Sequence, residues 1–177
     1  SYLNFMELER NLTVLENNLD SLDNRTKFSY ANLLLSSGKY DESIKIYDKI
    51  NNETPNWSCP WRHKGEALYK SNRMEESEVA LMKSIETRKE HYDAYVWLAK
   101  VQKEMGKNKE ALASLKTGIS YKGKDIESPE EEVDYLEEDF LHLELLKLND
   151  KKQEFEDLKK RIMKIAPDDE RWSQIKD

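Results

Sequence analysis

Apolar residues recur along this chain every three or four positions, in stripes separated by short polar turns. That is the period of an α-helix and not of a strand. Leu8, Leu12, Leu15, Leu19 and Leu22 predict one amphipathic helix over about Leu3–Leu22. Toward the other end, Val133, Leu136, Phe140, Leu143 and Leu146 predict the buried face of a long helix running to Leu148. Ser128, Pro129 and Glu131 read as its start: an N-cap, a first-turn proline and a capping-box partner. Phe155, Leu158, Ile162 and Ile165 predict a last helix over about Lys151–Ala166, stopped by Pro167. Trp172 and Ile175 are expected to fold back over the end of the stack.

Between these ends the pattern repeats. Gly38-Lys39, Asn72-Arg73 and Gly106-Lys107 each pair a turn former with a cation, and a glutamate and a small residue follow. The offset is 34 residues both times, which is the mark of stacked helical hairpins. Three units follow, roughly Asn24–Trp57, Ser58–His91 and Tyr92–Asp125, each an inner helix, a tight turn and an outer helix. Small residues recur at Ala31, Gly65 and Ala99 on the inner helices and at Ser43, Ser77 and Ala111 on the outer ones. One turn beyond the latter stand Tyr47, Leu81 and Leu115. Bulk and lack of bulk alternate, so neighbouring helices can interlock. The ladder then slips: Glu154 follows Glu110 by 44 residues, and Leu143 fills the small slot. The fourth pair should therefore stand further apart or rotate.

These residues resemble tetratricopeptide repeats, whose pattern spaces Trp, Leu-Gly, Tyr, Ala, Phe and Pro over 34 positions. The second unit carries Trp61, Gly65, Leu68 and Leu81. The third carries Tyr95, Leu98, Ala99, Ala111 and Leu115, and the first Ala31, Leu34, Tyr47 and Pro55. Lys27, Lys64 and Gln102 depart from it. The resemblance implies an all-α, right-handed superhelical array of antiparallel hairpins with capping helices at both ends. The expected division is an N-terminal helix, cap or truncated repeat, over 1–23, three repeats over 24–125, and a longer divergent pair with a C-terminal cap over 126–177. It also implies a concave groove lined by Phe28, Asn32 and Leu35, then Arg62, Glu66 and Tyr69, then Val96, Lys100 and Lys103. Such a lining suits a peptide or partner protein, so the expected function is a non-catalytic scaffold or adaptor. Self-association as a structural module of a larger protein is the alternative, and a monomer or weak homo-oligomer is expected.

The family's carboxylate clamp, by contrast, fails here. Its positions fall on Phe28, Asn32, His63, Asp93 and Trp97, of which only Asn32 fits; a frame one unit later gives Arg62, Glu66, Trp97, Glu137 and Leu141. Chaperone-tail capture is therefore not expected.

Composition narrows the rest. The net charge is −7, from 29 Lys+Arg against 36 Asp+Glu, with no basic stripe to meet phosphates, so no nucleic-acid partner is expected. Seven acids between Glu130 and Asp139 read as a solvated helix start favoured by the helix dipole. A single cysteine, Cys59, fits a reducing, cytoplasmic setting, with a removed export signal left open. No apolar run is long enough for a membrane span. Cys59 and His63 are four apart, but no second pair joins them, so no metal or cofactor is expected. Nor is a phosphate loop, nucleophile elbow or other catalytic motif present.

Overall fold

The computed structural model describes residues 2–124 and 135–175 of the chain. Among them the structure is helical throughout. α1 spans Tyr2–Asn17 and is followed by a 3-10 turn, Leu19–Ser21. Three hairpins come next: α2 Asn24–Ser36 with α3 Tyr40–Glu53, α4 Ser58–Lys70 with α5 Met74–Thr87, and α6 Tyr92–Glu104 with α7 Asn108–Tyr121. α8 is described over Tyr135–Leu148, α9 spans Lys152–Ile165, and a 3-10 turn, Glu170–Gln174, ends the described chain. The expected cap at Ser128, the acids Glu130 to Asp134 and Val133 lie outside the described residues.

The hairpin turns share one construction. Gly38, Asn72, Gly106 and Asp150 all adopt positive φ, at 78°, 59°, 75° and 55°. After each, the next amide reaches back to close its helix: Lys39 to the Leu34 carbonyl, Arg73 to Leu68, Lys107 to Gln102 and Lys151 to Leu146, at 2.8–2.9 Å. This is a left-handed helix stop, with Asn and Asp standing in for glycine. The fourth hairpin thus keeps the turn of the others, although it lies ten residues further along.

From α2 to α9 each helix packs on its neighbours in sequence, and the inner helices α2, α4, α6 and α8 also touch one another along one side. Ala31, Ser43, Ser77, Ala99 and Ala111 are fully buried, and Tyr47, Leu81 and Leu115 fill the space beside them. Lys27, in the aromatic slot of the first unit, is buried too, its ammonium reaching Glu53 at 3.4 Å. In the fourth pair Leu143 is fully buried and Phe155 partly so, and α8 and α9 meet less closely than the helices of the earlier hairpins. Bulk at both small slots explains the wider separation.

The ends are covered differently. Leu12, Leu15 and Leu19 lie half-buried on the first unit. At the far end, Trp172 and Ile175 pack on the last core, with the Trp172 ring edge-on to Phe140 at 4.9 Å. The Trp172 indole N–H donates to the Ala166 carbonyl at 2.8 Å, which fixes the fold-back.

Candidate functional site

The inner helices form the wall of a concave groove, and its composition changes along its length. At the first unit it is neutral and aromatic. Phe28 on α2 meets Trp57 at 4.8 Å and the His63 ring, edge-on, at 4.9 Å. Asn32 accepts a 2.6 Å hydrogen bond from the Tyr47 hydroxyl. Burial pushes the Tyr47 hydroxyl pKa up, so it stays protonated and donates. His63 donates from Nδ1 to the Cys59 carbonyl at 2.9 Å, and burial, helped by Arg62, drops its pKa to about 3. This end therefore carries no titrating charge near neutral pH.

From α4 onward the groove is charged around one indole. Trp97 on α6 stands half-buried with Tyr69 edge-on at 5.5 Å. Three cations lie over its ring: Lys100 at 4.3 Å, Arg62 at 5.6 Å and Lys70 at 5.9 Å. Each such contact is worth roughly 0.5–2 kcal/mol, more as water is excluded. Each of these cations is paired with a carboxylate. Arg62 bonds Glu66 at 2.6 Å within α4 and reaches Asp93 on α6. Lys100 pairs with Glu137 and Lys103 with Glu144, both across to α8. Lys70 holds Glu66 at 2.8 Å. Burial works against the Glu66 charge, but Arg62 and Lys70 outweigh it and hold its carboxyl below the ordinary value.

A cleft of about 320 Å³ opens between α6, α8 and the C-terminal turn. Tyr69, Trp97, Phe140 and Leu141 form its apolar surface, and Lys100, Lys103, Glu137, Glu144 and Arg171 its polar rim. Arg171 lies over the Phe140 ring at 4.9 Å and pairs with Asp169 at 2.9 Å.

Of the residues expected in the groove, Phe28, Asn32, Arg62, Glu66, Tyr69, Lys100 and Lys103 keep partly accessible side chains. Two do not, and the expectation is corrected for them. Leu35 is buried in the first core, and Val96 in the core that α6 shares with α8. Each belongs to a buried apolar cluster shared with neighbouring helices, where apolar area is removed from water. The expected groove lining left out Trp97, its floor, and Glu137 and Glu144, its far wall, although the clamp frames had reached Trp97 and Glu137. Their signal was present: Trp97 is one residue from Val96, and Glu137 and Glu144 are seven apart, two helical turns on one face. Among the described residues, no group of three or more His, Cys, Asp or Glu side chains could hold a metal ion, and no helix is long and apolar enough to cross a membrane.

This arrangement defines an α-solenoid of helix hairpins with a mixed concave face. Residues 92–125 match the family model of the tetratricopeptide repeat, and the described residues have the fold of a tetratricopeptide-repeat solenoid. Several solved structures share its fold. PilF of Pseudomonas aeruginosa superposes with a TM-score of 0.72 at 13% identity, over 88% of this chain and 66% of that one. YrrB, described as a repeat protein with an unusual peptide-binding site, gives 0.69 at 18% identity, over 88% and 74%. The TPR2B domain of yeast Sti1, solved in complex with pHsp70, gives 0.59 at 18% identity, over 68% and 97%. No curated protein matches the chain in sequence.

Proposed function

We propose that this chain is a non-catalytic interaction scaffold, which takes an extended or helical peptide segment of a protein partner along its concave groove. The observation that carries this reading is the half-buried Trp97, flanked by Tyr69 and set in an open cleft. An indole left partly accessible on a concave wall is a ready anchor for a partner side chain. Inner helices from several units present side chains together, so recognition is spread over the array. The peptide-binding description of YrrB and the complex of the Sti1 domain are consistent with such a use of this fold. The scaffold works in the cytoplasm, with neither cofactor nor nucleic acid.

The test is to pan a random dodecapeptide phage library on the chain and titrate the enriched peptide while recording amide chemical shifts. The expected result is shifts concentrated on α2, α4, α6 and α8. Shifts confined to α3, α5, α7 and α9 would overturn the groove reading.

A further inference from the structure

The charges around the cleft are already neutralised in pairs. Lys100 pairs with Glu137 and Lys103 with Glu144, both between α6 and α8, and Arg171 pairs with Asp169 in the C-terminal turn. Every charged side chain that lines the cleft belongs to one of these pairs. Two of its aromatic rings are engaged as well: Lys100 lies over Trp97 at 4.3 Å and Arg171 over Phe140 at 4.9 Å.

A charged partner therefore gains little here. A cation or a carboxylate must compete for a counter-ion already in place, and such exchanges between partly exposed groups are worth little. A cation brought to either ring adds like charge to the one already over it. What the cleft still offers is apolar area. Tyr69 and Trp97 are half-buried, and Phe140 and Leu141, themselves buried, line it as well. The space of about 320 Å³ corresponds to roughly ten waters at about 30 Å³ each. Displacing them with a side chain that needs no counter-ion removes apolar surface from water on both partners.

We infer that the cleft between α6, α8 and the C-terminal turn takes one uncharged apolar side chain of the partner segment, a leucine, methionine or phenylalanine set against Trp97 and Tyr69. This rests on the groove reading above and adds the chemical class of the anchor to it. Burial of such a side chain does not act through screened charge, so affinity should hardly respond to sodium chloride.

The experiment titrates the enriched dodecapeptide into the whole chain at low and at high sodium chloride, with each peptide residue replaced in turn by alanine. One apolar residue is expected to dominate. Its replacement should weaken binding about tenfold or more, and salt should change affinity by less than about twofold. The same residue should give intermolecular NOEs to the Trp97 and Tyr69 rings. On the protein side, Tyr69→Ala should weaken the peptide about fivefold or more. A control, Met82→Ala, removes exposed apolar surface from α5 and should leave affinity unchanged. Circular dichroism checks that both variants are folded; the alanine scan and the NOEs decide the matter if Tyr69→Ala is not. A peptide whose shifts map to the inner helices, but whose dominant residue is charged or whose affinity falls steeply with salt, overturns the anchor assignment and leaves the groove standing. So does a dominant apolar residue without NOEs to Trp97 and Tyr69. Shifts on the outer helices, or no enriched peptide at all, overturn both readings.

Discussion

Gly65 and Leu81 are so close that no methyl fits between them: a Cβ built on Gly65 would stand 2.5 Å from Leu81 Cγ. The same hairpin is tied by Ser77, whose hydroxyl donates to the Gly65 carbonyl at 2.6 Å. Alanine ordinarily favours a helix over glycine by about 1 kcal/mol, but here the clash with Leu81 outweighs that gain. Gly65→Ala should therefore lower stability by about 1–3 kcal/mol, read from urea unfolding. Adding Leu81→Ala should make the pair non-additive by about 1 kcal/mol or more, because the smaller residue relieves the clash. Strict additivity would contradict the packing account.

Glu138, read from the sequence as one of a solvated run of acids, is instead a buried carboxylate that fastens the fourth unit to the third. It is 3% exposed, accepts from the Tyr92 hydroxyl and pairs with Lys122 at 3.0 Å. Lys122 in turn lies over the Tyr135 ring at 3.9 Å. Glu138→Ala strands Lys122 and the Tyr92 hydroxyl together, and should cost about 3 kcal/mol. Tyr92→Phe removes one hydrogen bond and should cost about 1–2 kcal/mol. Chemical denaturation checks both; a Glu138→Ala chain as stable as the parent would show that this network fastens nothing.

Acid should loosen the array through its histidines before its carboxylates. His91 is 1% exposed, with Nδ1 at 2.7 Å from Ser58 Oγ and 3.1 Å from Ser84 Oγ. The contacts close if Nδ1–H donates to Ser58, Ser58 to the Ser84 carbonyl at 2.7 Å, and Ser84 to the Ser58 carbonyl at 3.1 Å. Burial lowers the pKa of His91 to about 2 and that of His63 to about 3, against 6.5 in the unfolded chain. Below pH 6.5 the unfolded chain takes up protons that the folded one refuses. Stability is thus full above that pH and falls as pH drops, by roughly 1–3 kcal/mol between pH 7 and 5. Urea midpoints across that range test it, and His63→Gln should flatten the slope; a flat parent profile would contradict it.

Much of the fold was legible because spacing survives substitution. Gly38, Asn72 and Gly106 mark their turns whatever lies between, and the buried small residues keep the same phase. Asp150 was harder to see, since Asn149-Asp150 reads as a turn but only the backbone shows the same left-handed stop. The groove was half legible. A slot in a repeat says which way a side chain leaves its own helix, and not what the next helix lays over it. Leu35 and Val96 were misplaced for that reason, both being buried in cores shared with neighbouring helices. The pairing of Lys100 with Glu137 joins residues 37 apart in sequence, which no local pattern encodes.

The groove as a binding surface can be probed by placing a photoreactive group on either side of the array. In a Cys59→Ser background, Lys103→Cys puts a benzophenone in the cleft beside Trp97, and Val79→Cys puts one on the exposed face of α5, where Val79 is 68% accessible. Irradiation with the panned peptide should crosslink from position 103 and not from position 79. Crosslinking from position 79 alone would place the partner on the outer helices and contradict the account.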